Sequence, residues 1–414
     1  MSFRFFDAWS RILNPSDLSR IGRESGLVRR KARKLQAPVV FWSAVSCFAA
    51  EGGRTVSDMA RAASHFAGHK VTRQAARSRA MAAGEFMRRV FERLVREAER
   101  LGDGTRLPGP LGRFEEVAVL DSTAVRLADG LARRFPACRT NVRKAALKIH
   151  ARMALSDREA RRLSITAETT HDRRGASFGR WMRGRLLLFD LGYFDYRLFA
   201  HILASGGHFL TRLKASADGE IVAVRSGCRV RHVGRRMNRA IYDRRLVDMD
   251  VRFSDGRTHR VVGEWNEETR YFHWYVTSLD PGEFPAAEIG RLYALRWQVE
   301  LLFREWKSLC GLARLRSGHE GIVAAFTYAA LCVSVLARIA LRLSARRFRL
   351  RWENMCPTAA VRLLRDVLHH LALAATWNRT TLRADVDELL TLLAIHAHLP
   401  NGTNAVRSYA DTAR

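Results

Sequence analysis

Residues 117–125 read VAVLDSTAV, and residues 186–193 read LLLFDLGY. Each stretch opens with four apolar residues and then an aspartate, Asp121 in the first and Asp190 in the second. Apolar runs this short and uninterrupted are what strands buried on both faces look like. A charged carboxylate at the end of such a strand is costly unless it caps the following turn or meets a cation. The surrounding sequence continues in the same style. AALKIHARMAL and RRLSITAETT alternate with period two, GHFLTRLK is another short strand, and together these segments predict a sheet flanked by helices.

A third acid lies in LYALRWQVELLFREWKSL, Leu292 to Leu309, which reads as one amphipathic helix. At about 100° per residue, Tyr293, Arg296, Glu300 and Lys307 share an arc of roughly 60°. Leu295, Val299, Leu302, Phe303, Trp306, Leu309 and Cys310 fill the neighbouring arc. The polar line therefore borders the buried face, where side chains can project into a cleft. The ordinary alternative is an exposed rim with Arg296–Glu300 and Glu300–Arg304 as i,i+4 ion pairs. If Asp121, Asp190 and Glu300 converge, they repel one another unless divalent cations neutralise them. Hard oxygen donors, with no thiol or imidazole cluster, select Mg²⁺ or Mn²⁺ over zinc. Two such ions are the usual apparatus of in-line phosphoryl transfer.

The composition agrees. The 414 residues are 47% hydrophobic, enough for a large core and more than one domain. Lys plus Arg number 71 against 41 acids, a net charge of +30 that points to nucleic acid as partner. Only seven of those cations are lysines, so coding bias explains the choice of Arg but not the excess of base over acid. Six scattered cysteines form no Cys-x2-Cys pair, which argues against a zinc finger or a disulfide framework and suits a reducing compartment. The N-terminus carries acids and arginines throughout and does not read as a secretory signal. Gly321 to Ala337 is free of charge but is short for a membrane span, and reads as a buried helix.

Residues 1–101 read as helices. Within them TVSDMARAASHFAGHKVTRQAARSRA suggests a helix-turn-helix capped by Ser57, with Gly68 in the turn and Thr72, Arg73, Gln74 and Arg77 toward DNA. GDGTRLPGPLGRF reads as a linker. Residues 216–282 change to alternating strands with a hairpin turn at Ser254-Asp255-Gly256. Helices resume near 319 and end in a polar tail.

The order Tyr293-x2-Arg296-x3-Glu300-x6-Lys307 resembles the YREK signature of the bacterial insertion-sequence DDE transposases, the insertion-sequence-four superfamily. VLDSTAV around Asp121 and LFDLGY around Asp190 resemble the family's two aspartate blocks. LKIHARMAL and TAETTHD, with Lys148, His150, His171 and Asp172, resemble its core. The likeness covers roughly residues 110–340. It implies an α/β fold: an RNase H-like catalytic core with a mixed central sheet, a β-strand insertion and helical N- and C-terminal regions. The expected division is a DNA-binding region at 1–101, core at 110–215 and 283–345, the insertion at 216–282 and a helical region at 346–414. The resemblance implies a cut-and-paste transposase that cleaves and joins DNA at its terminal inverted repeats. Asp121, Asp190 and Glu300 would bind two Mg²⁺ or Mn²⁺ ions and catalyse. Tyr293, Arg296 and Lys307 would bind DNA phosphates, Arg through its fork and Lys as a point charge. A homodimer on DNA, in the bacterial cytoplasm at the nucleoid, is expected, with no membrane and no small-molecule substrate. The alternative is a non-catalytic DNA-binding remnant; a membrane-associated helical protein built around Gly321 to Ala337 is the third reading.

Overall fold

The computed structural model describes residues 14–28, 35–49, 54–102, 107–138, 141–242, 244–377 and 379–399. Among the described residues five helices come first: α1 (Pro15–Glu24), α2 (Ala37–Ala49), α3 (Val56–Ala67), α4 (Arg73–Ala82) and α5 (Gly84–Gly102). In α5, Phe86, Met87, Val90, Phe91, Leu94, Val95 and Ala98 recur at helical spacing and are buried. α3 and α4 do form a helix-turn-helix pair, with Gly68 left-handed at φ 67° between them. The expected caps differ. Thr55, not Ser57, caps α3, in a reciprocal capping box with Asp58. Thr72 caps α4 by accepting from the Ala75 amide, while Arg73, Gln74 and Arg77 are exposed.

The chain then builds β1 (Val117–Arg126), β2 (Ala146–Ala154), β3 (Glu159–Ala167), β4 (Leu186–Phe189), α6 (Tyr196–Ala204) and β5 (His208–Arg212). Four more strands follow: β6 (Glu220–Ser226), β7 (Leu246–Arg252), β8 (Thr258–Asn266) and β9 (Tyr271–Thr277). All nine lie in one sheet, ordered β3-β2-β1-β4-β5-β9-β8-β7-β6. β1 runs antiparallel to β2 but parallel to β4, and β4 parallel to β5. This is the mixed sheet of an RNase H-like core. The strands of 216–282 continue that sheet, because β9 pairs antiparallel with β5.

The helices α7 (Ala286–Ala294), α8 (Gln298–Ser308), α9 (Glu320–Arg347), α10 (Pro357–Trp377) and α11 (Arg379–His396) follow. The stretch read as one helix from Leu292 to Leu309 is two, joined by a 3₁₀ turn at Leu295–Trp297. The sheet divides two cores. Val119 and Val125 of β1 face the one shared with α5 and α9, while Ala118 and Leu120 face the one around α6. α9 is long and apolar enough to cross a membrane by length and composition, yet 94% of its most apolar window is buried inside the protein. It packs along α5 and ties to the β2–β3 turn, where Arg342 pairs with Asp157 at 2.9 Å and Arg338 donates to the Arg158 carbonyl at 3.1 Å. No disulfide forms among the described residues.

Candidate active site

Register brings the two aspartates together. Leu120 of β1 is opposite Phe189 of the parallel β4, so the next residues along, Asp121 and Asp190, lie side by side. In sheets with parallel strands, sites gather at the carboxyl ends of those strands. Asp190 does end its strand, at the start of a 3₁₀ turn. Asp121 does not: β1 runs on to Arg126, held by β2 alone beyond the end of β4. The apolar run VAVL thus stops at Asp121 in mid-strand, and Thr123 and Val125 beyond it on the same face are buried again.

By strand alternation Asp121 points to the side of Val119, where α8 packs against β1. There the Arg296 guanidinium joins two acids, Nη1 to Asp121 Oδ2 at 2.6 Å and Nη2 to Glu300 Oε1 at 2.7 Å. The Tyr293 hydroxyl donates to Asp190 Oδ1 at 3.2 Å, and Arg296 lies 5.8 Å from the Tyr293 ring centroid. Tyr293 and Arg296 of the polar line thus meet the acids, of which Glu300 is one, although a 3₁₀ turn interrupts the helix that predicted the line. Lys307 is half-buried and forms no ion pair among the described residues; burial, and then the charge of Arg143, hold its pKa down. Nothing in its contacts brings it to the acids.

Burial pushes the Asp121 carboxyl up to about 6; Asp190 and Glu300 add to the rise, against Arg296 and the Ser122 amide. Burial works against the Arg296 charge as well, but Tyr293, Asp121 and Glu300 outweigh it and raise its pKa. The Tyr293 hydroxyl is pushed well up by burial and then by Asp190. Among the described residues no three acids, imidazoles or thiols are gathered closely enough to hold a metal ion. The guanidinium stands between Asp121 and Glu300 instead. The donor set still suits a hard divalent cation, being all oxygen, and the mutual repulsion of its acids calls for a cation. That the cation in place is an arginine was not visible from spacing alone, which offered only the Arg296–Glu300 half of the bridge.

A second polar cluster adjoins the first on the other face of β1. Ser122 donates to Asp172 at 2.7 Å, and Lys148 Nζ reaches the same carboxylate oxygen at 3.1 Å. His150 Nδ1 is 3.7 Å from it, and burial lowers the His150 pKa to about 4. Lys148 and His150, on one face of β2, therefore do meet the more distant Asp172, whereas His171 is exposed. Tyr193, which the sequence did not single out, buries a hydroxyl without a partner beneath these groups, within the field of Asp172 and Asp121.

The chain matches the family of transposase DDE domains over residues 112–336. It is 21% identical over 242 residues to the transposase of insertion sequence element IS231B of Bacillus thuringiensis subsp. berliner, 48% of this chain and 51% of that one. To the IS231F transposase of Bacillus thuringiensis subsp. israelensis it is 21% identical over 292 residues, covering 59% and 60%. A shorter stretch of 80 residues is 35% identical to the IS421 transposase of Escherichia coli, covering 19% and 22%. The chain thus spans about half the length, or less, of most of the curated relatives it matches. Its fold is similar to that of piggyBac transposase, solved by cryo-EM as a synaptic complex with hairpin DNA. The TM-score is 0.51 at 10% identity, over 97% of this chain and 86% of that one.

Proposed function

The chain belongs to the transposase DDE domain family, and from that premise we propose that it is the cut-and-paste transposase of a bacterial insertion sequence. One observation carries the reading: Asp121 and Asp190 side by side on neighbouring parallel strands, with Glu300 bridged to Asp121 through Arg296. Acids placed on strands and a helix keep their geometry better than acids on loops. Asp121, Asp190 and Glu300 would hold the divalent metal, two Mg²⁺ or Mn²⁺ ions, which supplies an activated water and stabilises the leaving oxygen.

Arg296 would leave the carboxylates for a phosphate of the transposon end once another cation neutralises them. Its planar fork suits a phosphate as well as a carboxylate. Tyr293 orients Asp190 and would contact the same backbone. Lys307, without an ion pair among the described residues, would hold a phosphate further along. Residues 1–101 would select the inverted repeats, with Arg73, Gln74 and Arg77 exposed for that task. Residues 110–215 and 283–345 would form the catalytic core, 216–282 its insertion, and 346–414 a helical buttress. The protein would act in the cytoplasm as a homodimer on DNA, one subunit per transposon end.

The test is incubation with a DNA fragment bearing the element's inverted repeat and Mg²⁺, with products sized on a denaturing gel. Nicks at the repeat boundary, followed by joined products or a hairpin on the transposon end, are expected. Binding without any cleavage in Mg²⁺ or Mn²⁺ would leave the non-catalytic remnant as the better reading.

A further inference from the structure

The face of the sheet opposite Asp121 carries a cavity of about 560 Å³, walled by β1–β3 and by the loop from Arg174 to Trp181. That volume lies within the range of roughly 300–1,000 Å³ usual for small-molecule sites. Its walls are set firmly. Ser164 bonds the Gly175 carbonyl, and a Cβ on Gly175 would lie 2.1 Å from His150 Nε2, so only glycine lets the loop sit this close. The Trp181 indole donates to the Ser177 carbonyl at 3.0 Å, which fixes the ring.

Three arginines line the cavity: Arg152 in the wall, Arg162 and Arg174 at the exposed rim. None of them forms an ion pair among the described residues. Elsewhere in this region arginines are matched, Arg161 with Asp157 and Glu116, Arg342 with Asp157. Arg152 is the telling case. Its Nε is buried without an acceptor, and burial lowers its pKa. The strongest opposing charge it feels is Glu116, which Arg161 and Arg185 already flank. Its guanidinium lies 4.1 Å from the Trp181 ring centroid, a stack that orients the cation without neutralising it. An enclosed, unmatched positive charge calls for an anion. The flat Arg–Trp surface beside it calls for a planar, aromatic one, since bases stack on aromatic rings and on guanidinium planes alike. His150, held neutral by burial, adds no charge of its own.

We propose that this cavity binds one unstacked nucleotide, its phosphate on Arg152, Arg162 and Arg174 and its base against the Arg152–Trp181 stack. The site is separate from the acidic centre: Leu120, which lines it, is the neighbour of Asp121 in β1 but points to the opposite face. The proposal therefore stands or falls independently of the cleavage reaction.

The experiment uses the full chain and a short single-stranded thymidine oligonucleotide carrying one 5-iodouracil, irradiated at physiological salt, with the cross-linked peptide identified by mass spectrometry. Attachment within the peptide containing Trp181 is expected. The Arg162→Ala/Arg174→Ala double variant, altered only at exposed positions, should give an about tenfold lower yield there. Its melting curve should match that of the parent. Asp121→Asn, which disables the other face, should cross-link like wild type. Competition by free thymidine monophosphate would support the site and name a mononucleotide as its ligand. Competition by unlabelled oligonucleotide alone would support it and name a DNA strand. Equal competition by inorganic phosphate, cross-links only elsewhere, or an unchanged yield in the double variant would each overturn it.

Discussion

Helix α8 carries two glutamates five residues apart, Glu300 and Glu305, each paired with an arginine from outside the helix, and the two pairs are built for opposite ends. Glu305 and Arg338 are 3% and 4% exposed. Arg338 grips Glu305 at 2.6 and 3.2 Å, Ser334 donates to the same carboxylate at 2.6 Å, and the Trp306 indole closes the set on Ser334 at 3.1 Å. Glu300 is 32% exposed, and Arg296 is shared between it and Asp121 while its own Nε stays unbonded. The first pair is satisfied and closed to water, so neither partner can leave without stranding a buried charge. The second is open on one side and divided between two acids, so its cation can be exchanged. Burial, not residue type, separates a structural bridge from a site that can accept another cation.

The largest effect expected of this contrast is on chemistry. Asp121→Asn, Asp190→Asn or Glu300→Gln should each abolish nicking and strand transfer on a denaturing gel while DNA binding is kept. A triple variant should be little worse than any single one, because the acids act as a unit. Chelation of divalent metal should stop cleavage equally. Strong Mg²⁺-dependent cleavage by Glu300→Gln would remove Glu300 from the site and dissolve the contrast.

Stability should respond in the opposite place. Glu305→Ala should cost about 3–5 kcal/mol in denaturant unfolding, the usual loss when one partner of a buried pair is removed. Glu305→Leu with Arg338→Met should recover much of that loss, while Glu300→Gln should change stability by less than about 1 kcal/mol, as half-exposed pairs do. Comparable losses from Glu300→Gln and Glu305→Ala would show that both pairs are structural.

Arg296→Ala and Lys307→Ala belong between these extremes. Each should lower cleavage by about 10²-fold through misplaced phosphates, with near-native melting curves. A variant that cleaves at the wild-type rate would return that residue to the ordinary surface rim.

The smallest effect is a slope in pH. The Asp121 pKa is raised to about 6 by burial first and by its fellow acids second. Its protonated form is therefore favoured in the folded state, and the stability this brings is fully present below the unfolded value near 4 and lost as pH rises through about 6. Wild-type stability relative to Asp121→Asn should fall across that window and level off above it. A difference that rises with pH instead would mean that Arg296 overrides burial.

The sequence by itself specified the class of fold and named the candidate chemistry-bearing residues. Apolar runs before Asp121 and Asp190 specify buried strands because such strands have no polar face. The 60° line from Tyr293 to Lys307 marks a cleft border because helical periodicity leaves it beside the apolar arc. Net charge and motif order then pointed to DNA. Tertiary structure alone decided the rest. Pairing, a long-range property, set Asp121 in mid-strand and merged the strands of 216–282 with the core sheet. Packing inserted the 3₁₀ turn at Leu295–Trp297 and handed Arg296 to Asp121, a partner 175 residues away. The three unmatched arginines of the reverse face were equally illegible, whereas the Thr55 cap is a local Thr-x-x-Asp box that the sequence does carry. A single arginine reads the same in sequence whether a carboxylate waits for it across the fold or not.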